Sequence, residues 1–221
     1  MLQKLSRMMG LSGGQSVFDP AGLNDALALR VDWTPLKRGG ASFRTRRLTK
    51  TDLQRCEFKP TAGALLFSLA FAVMGLTVPA IIVFSSFRQE TAGLGAVPLF
   101  PLLIGAVFVW VGGYMFRAFT APVVFDLRSG YFWKGRTAPM EVINPADIKC
   151  AAKLEEIHAL QLVSERCTSK NSSYLSYELN LVLESGERLN IFDHGNLNRA
   201  REDAEQLGRF LGRPVWDAVQ R

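Results

Sequence analysis

ALLFSLAFAVMGLTVPAIIVF, Ala64 to Phe84, decides how the rest of the chain is read. It lies within a stretch free of charged residues from Thr61 to Phe87, and a second such stretch runs from Thr91 to Phe116. Only Arg88, Gln89 and Glu90 stand between them. About 20 apolar residues suffice for a helix to cross a hydrocarbon core. A buried helix of a soluble domain normally keeps a polar face, and a signal peptide would open the chain. The pattern therefore predicts a transmembrane hairpin over 61–118, preceded by a basic segment, 1–60, and followed by a tail, 119–221.

Charge sets the expected orientation. The first 60 residues hold 11 Lys and Arg against Asp19, Asp25, Asp32, Asp52 and Glu57, so the net charge of +6 arises there. The connecting loop carries one basic residue, Arg88. The positive-inside rule places both termini in the cytoplasm and the loop outside. Arg44, Arg46, Arg47 and Lys50 cluster within seven residues and form a candidate patch for anionic membrane lipid. No aromatic interleaving or fold signature accompanies them, so nucleic acid is not an expected partner.

Within the spans, Ala64, Ser68 and Ala72 recur every four residues, and Gly105 and Gly112 stand seven apart. Small residues at such spacing form helix-packing seams, so these faces are expected to meet each other or a second copy. Neither apolar stretch contains an ionisable residue of the kind that marks ion and substrate pathways, which points to an anchor. Cys56, Cys150 and Cys167 are widely spaced, with no C-x-x-C pair and only His158 and His194 to add nitrogen ligands. Neither a metal nor a disulfide is expected, and no other cofactor is implied.

The tail reads as a β-rich domain. PVVFDLR and YFWKG, separated by Ser129 and Gly130, predict a hairpin; MEVI is a candidate third strand. Asn144 and Pro145 suggest a short helix reaching Lys153, and IHALQLVSE another strand. In SYELNLVLESGERLNIFDHGN and the Leu175 before it, Leu175, Tyr177, Leu179, Leu181 and Leu183 alternate with Ser176, Glu178 and Asn180, predicting a hairpin with one buried face. Leu197, Ala200, Ala204, Leu207 and Leu211 then mark an amphipathic helix ended by Gly212. Upstream, Asp19 and Pro20 predict a helix reaching about Arg30, and MLQKLSRMMGL a short amphipathic one. DWTPLKRGGASFRTRRL offers no regular structure.

Asp193, His194 and Asn196 are the residues most open to a catalytic reading. Hydrolysis by His194 would need an orienting partner, yet adjacent strand residues point to opposite faces, which sets Asp193 aside. Asn196 is a favoured helix N-cap, so the cluster reads as a strand-to-helix turn and no catalytic residue is expected.

WTPLKRGGASFRTRRL, the two-span hairpin, SYELNLVLESGERLNIFDHGN and the closing LGRFLGRPVWD together resemble a group of uncharacterised bacterial inner-membrane proteins. The tail's order of antiparallel strands and a final helix is similar to that of pleckstrin-homology-like (PH-like) domains, although only Ser129 and Gly130 stand where lipid-phosphate binders carry a basic loop. The expectation is an α+β membrane protein. In this reading, a transmembrane hairpin anchors a PH-like cytoplasmic domain that docks a protein partner or the membrane face, with a homo-oligomer as a further partner. The alternatives are an accessory subunit of a larger membrane complex and a membrane-bound hydrolase.

Overall fold

The computed structural model describes residues 18–88, 99–144, 148, 150–168 and 172–219. The expected N-terminal helix over MLQKLSRMMGL lies outside them. Two long helices, α1 (Ala62–Arg88) and α2 (Leu99–Phe119), carry the apolar runs. They stand between β2 (Arg55–Pro60) and β3 (Val123–Asp126), and these two strands pair with each other, Phe58 opposite Val123. The helical hairpin is thus an insertion into a sheet whose neighbouring strands it separates in sequence.

That sheet has the order β1-β2-β3-β4-β5, where β1 is Arg46–Asp52, β4 is Tyr131–Lys134 and β5 is Ala151–Lys153. All its pairings are antiparallel. A second sheet has the order β8-β7-β6-β9, made of β6 (Ile157–Thr168), β7 (Ser173–Leu183), β8 (Arg188–His194) and β9 (Val215–Asp217). β9 lies parallel to β6, so this sheet is mixed. Cys56, Phe58, Val123, Phe125 and Phe132 from the first sheet share one core with Leu160, Leu162, Leu179, Leu181 and Ile191 from the second. Ala200, Ala204 and Leu207 of α3 (Leu197–Leu211) complete it. Rings of Phe58 and Phe192 meet across the two sheets, 5.0 Å between centroids.

The expected solvent face of the β7–β8 hairpin is covered. Ser176 to Leu183 are all buried, because residues before β1 lie over the outer face. Leu27, Ala28 and Val31 pack there with Ala159, Val182 and Trp216. Period-two alternation identifies a strand and not what covers its polar side. The basic segment supplies this arm and two strands, so its chain and the tail build the same β unit.

Three local expectations are corrected. The Asp19 cap is present, its carboxylate accepting from the Ala21 amide, but the turn it opens is a 3₁₀ turn over Pro20–Leu23. Asn24 ends it in the left-handed region, φ 51°. MEVI is no strand: Pro139–Glu141 form a 3₁₀ turn, since Pro139 lacks the amide a ladder needs. Ala151–Lys153, where the sequence suggests a short helix but leaves helix and strand both open, pair as β5 with β4. Residues 145–147 and 149 of that expected helix lie outside the described residues.

Candidate functional site

The junction between the helical hairpin and the sheets holds the buried Arg46 and, next to it, the Arg44–Asp203 pair. β2 runs straight into α1, where Thr61 Oγ1 accepts from the Ala64 amide at 3.3 Å and donates to the Arg44 carbonyl at 2.7 Å. The last turn of α2 leaves carbonyl groups without helical partners, as every helix end does. Arg46 meets them: Nη1 donates to Ala121 O at 2.6 Å and Nη2 to Ala118 O at 2.9 Å. Its side chain faces a helix C-terminus, where positive charge is favoured. Burial pulls its pKa down to about 10.

The four residues of the basic patch therefore divide. Arg44 Nη2 grips both carboxylate oxygens of Asp203 on α3, at 2.8 and 2.6 Å, while Nε donates to Arg46 O. Arg44 and Arg46 are engaged within the fold, and only Arg47 and Lys50 are exposed. Arg47 lies opposite Lys59 at the hairpin end of the sheet.

The arm is held by its backbone. Leu36 and Lys37 amides donate to the two oxygens of Glu178 at 2.8 and 3.0 Å. Gly39 and Gly40 amides donate to Glu165, and the hydroxyls of Tyr174 and Ser176 donate to the carbonyls of Gly40 and Ala41. A side chain on Gly40 would run into Ser176, and one on Gly195 into the Ser42 carbonyl, so the arm and the turn after β8 touch backbone to backbone.

Beneath the arm, Lys134 Nζ donates to Asn190 Oδ1 at 3.1 Å and Ile191 O at 3.1 Å, and Asn190 Nδ2 donates to Asp193 at 3.2 Å. Burial lowers the Lys134 pKa to about 8, helped by the charges of Lys37 and Arg46. Burial raises Asp193 to about 6, and the like charge of Glu178 adds to it. The two groups bracket neutral pH, a polar relay running from the end of β4 to the end of β8.

His194 occupies a different environment. It is fully buried, stacks on Phe192 at 4.8 Å between ring centroids, and accepts the Asn196 amide at Nδ1, 3.3 Å. Its Nε2 has no hydrogen-bond partner. Burial and the Arg44 charge hold its pKa down at about 4, which keeps the ring neutral. Asn196 caps α3, accepting from the Arg199 amide at 3.0 Å. The DHGN stretch shapes the entry to a helix, and the imidazole meets no solvent. His158 on β6, half-buried, bridges Asp25 at 2.7 Å and Glu184 at 3.0 Å and ties the arm to β6 and to the turn after β7.

The small-residue seam lies inside the hairpin. Ala64, Ser68, Gly105 and Gly112 are buried, and a Cβ on Gly112 would stand 2.8 Å from both Ala72 N and Ser68 O. Pro79 has no amide to bond Gly75 O, four residues earlier. That carbonyl instead faces Gly105, where an added Cβ would stand 2.5 Å from it. Apolar grooves of about 620 and 340 Å³ flank this contact, one on each side. The remaining faces of both helices, including Leu66, Ile81, Leu99 and Phe100, are exposed.

Lys134, Glu178 and Asp203 were not among the sequence candidates. Their signal is a charged residue within an otherwise apolar or alternating element, readable only once its partner is known. No family model, curated protein or solved structure matches the chain.

Proposed function

We propose that this is an integral membrane protein whose two apolar helices span a bacterial inner membrane and hold the β domain at the cytoplasmic face, both termini inside, as a docking platform for a protein partner. The observation that carries the reading is the hairpin itself: long apolar helices exposed on every face but the seam, emerging from between two paired strands. Exposed Leu, Ile and Phe in this density suit lipid better than water. The two hydrogen bonds from Arg46 tie the domain to the end of α2, which suits a platform. The strands before α3 follow the expected PH-like order, but β9 comes after that helix and departs from it.

A second reading, an accessory subunit of a larger membrane complex, gains support from the apolar grooves beside Pro79, which suit a neighbouring helix. Because the Ala64–Ser68–Ala72 face is filled by α2, another protein would have to use a different face, and those grooves offer one.

Cross-linking of the full chain in its native membrane, followed by mass spectrometry, separates the two. The docking reading expects links from Lys50, Lys59 or Lys153 to a second polypeptide. Links confined to photoreactive residues beside Pro79 would favour the subunit, and recovery of the chain alone would count against both. A cysteine at position 89 should react with an impermeant thiol reagent added from outside; reaction only from the cytoplasmic side would reverse the orientation.

A further inference from the structure

With Arg44 and Arg46 engaged internally, a different element offers charge and apolar surface to a membrane. The segment 135–144 leaves the end of β4, where Lys134 pairs with Val123, the first residue after the hairpin to join the sheet. It is fastened to the exit of α2: Gly135 N donates to Pro122 O at 2.8 Å, and Arg136 Nη2 donates to Thr120 Oγ1 at 2.8 Å. The loop therefore projects from the edge of the sheet at which the helices leave.

On that edge Met140 is 63% and Ile143 106% exposed, the latter the most exposed large apolar residue described. Pro139 and the 3₁₀ turn fix the loop, and Glu141 is turned back to accept from the Ala138 amide, so its carboxylate serves the turn. Arg117 and Arg136 are exposed beside them. Lys134, Arg136 and Thr137 line a pocket of about 260 Å³ with Val142 and Ile148, and among the described residues no acidic side chain lines it. Apolar tips beside a basic pocket, on the edge continuous with two apolar helices, match the layering of a bilayer surface, hydrocarbon below and anionic headgroup above.

We propose that this loop is a second membrane contact: Met140 and Ile143 enter the acyl boundary while the Arg136–Thr137 pocket takes the phosphate of an anionic phospholipid headgroup. The proposal rests on the reading that the hairpin spans a bilayer. Lys134, already bonded to Asn190 and Ile191, adds field rather than a direct bond.

The test uses the full chain with Cys150 and Cys167 replaced by Ser, reconstituted in nanodiscs of phosphatidylcholine with or without phosphatidylglycerol. An environment-sensitive fluorophore is attached at Ile143→Cys, and in separate samples at Leu53→Cys, on the opposite edge, and Val73→Cys, within α1. The expected result is a blue shift and quenching by shallow spin-labelled lipid at position 143 when phosphatidylglycerol is present. Both are lost with Arg136→Ala and never seen at position 53. Quenching at 73 without quenching at 143 overturns the proposal and leaves the spanning hairpin standing. Equal quenching at 143 in phosphatidylcholine alone overturns the anionic headgroup site. No quenching at 73 overturns the spanning reading, and the loop contact with it.

Discussion

Arg46 on β1 donates to the carbonyl of Ala121, 2.6 Å away, just past the last turn of α2. A guanidinium with carbonyl partners and no carboxylate is held by the helix end itself. Replacing it with Ala leaves the Ala118 and Ala121 carbonyls unpaired, at a cost of about 2–3 kcal/mol. Arg46→Lys should recover only part of this, since one ammonium cannot reproduce the planar fork. Thermal unfolding of the three proteins in the same detergent checks the order.

Arg44 and Asp203 are unequally buried, side-chain exposures being 27% and 5%. Truncating the two should therefore not be equivalent. Arg44→Ala strands a buried carboxylate and should cost about 3 kcal/mol. Asp203→Asn leaves an arginine that water can reach and should cost about half as much. Urea denaturation of both variants and the double variant measures the coupling; equal single losses would contradict it.

Asp193 and His194 are adjacent and titrate with opposite effect. The folded-state pKa of Asp193, about 6, lies above the unfolded value, so its contribution is present at low pH and lost as pH rises through 6. That of His194, about 4, lies below the unfolded value, so its contribution is present above pH 6.5 and lost as pH falls towards 4. Between pH 4 and 6.5 the two oppose one another and leave a shallow profile. His194→Phe should expose the Asp193 trend, a melting temperature rising as pH falls; Asp193→Asn should expose the reverse. Melting curves at half-unit steps decide it.

Gly105 cannot accept a side chain without displacing the Gly75 carbonyl or the Pro79 ring. Gly105→Leu should separate the helices and cost at least 1–3 kcal/mol by overpacking, about the usual range. Gly113 faces open space, and Gly113→Leu should be tolerated. Distance measurements between spin labels on α1 and α2 report the seam directly.

Because Phe58 and Val123 are paired, the helical hairpin can be cut out across one strand junction. A chain of residues 18–60 joined by a short Gly-Asn turn to 121–219 should fold as a soluble β domain with dispersed amide resonances. Residues 119–221 alone should not, since they lack β1, β2 and the arm covering β7.

Much of this was legible in sequence. The two apolar runs, the β7–β8 alternation and the last helix, with Asn196 before it and Gly212 after it, announce themselves through local periodicity and capping chemistry. β2 carried a readable signal: Cys56 and Phe58 alternate with Arg55, Glu57 and Lys59, and the structure buries the first pair. The arm was not legible, because amides of Leu36 and Lys37 bonding Glu178 have no periodicity and span most of the chain. The division of the basic patch was equally hidden. An arginine that binds lipid and one that caps a helix look alike until the acceptor is placed.

The placement of the helical hairpin between paired strands also orders events at the ribosome. β2 emerges well before β3 and has an open edge, a template for wrong pairing, until both apolar helices and their connecting loop have been made. Sheet closure waits until the whole hairpin has been made. Until then β2 is paired on one side only, with β1, and its free edge stands beside two apolar helices.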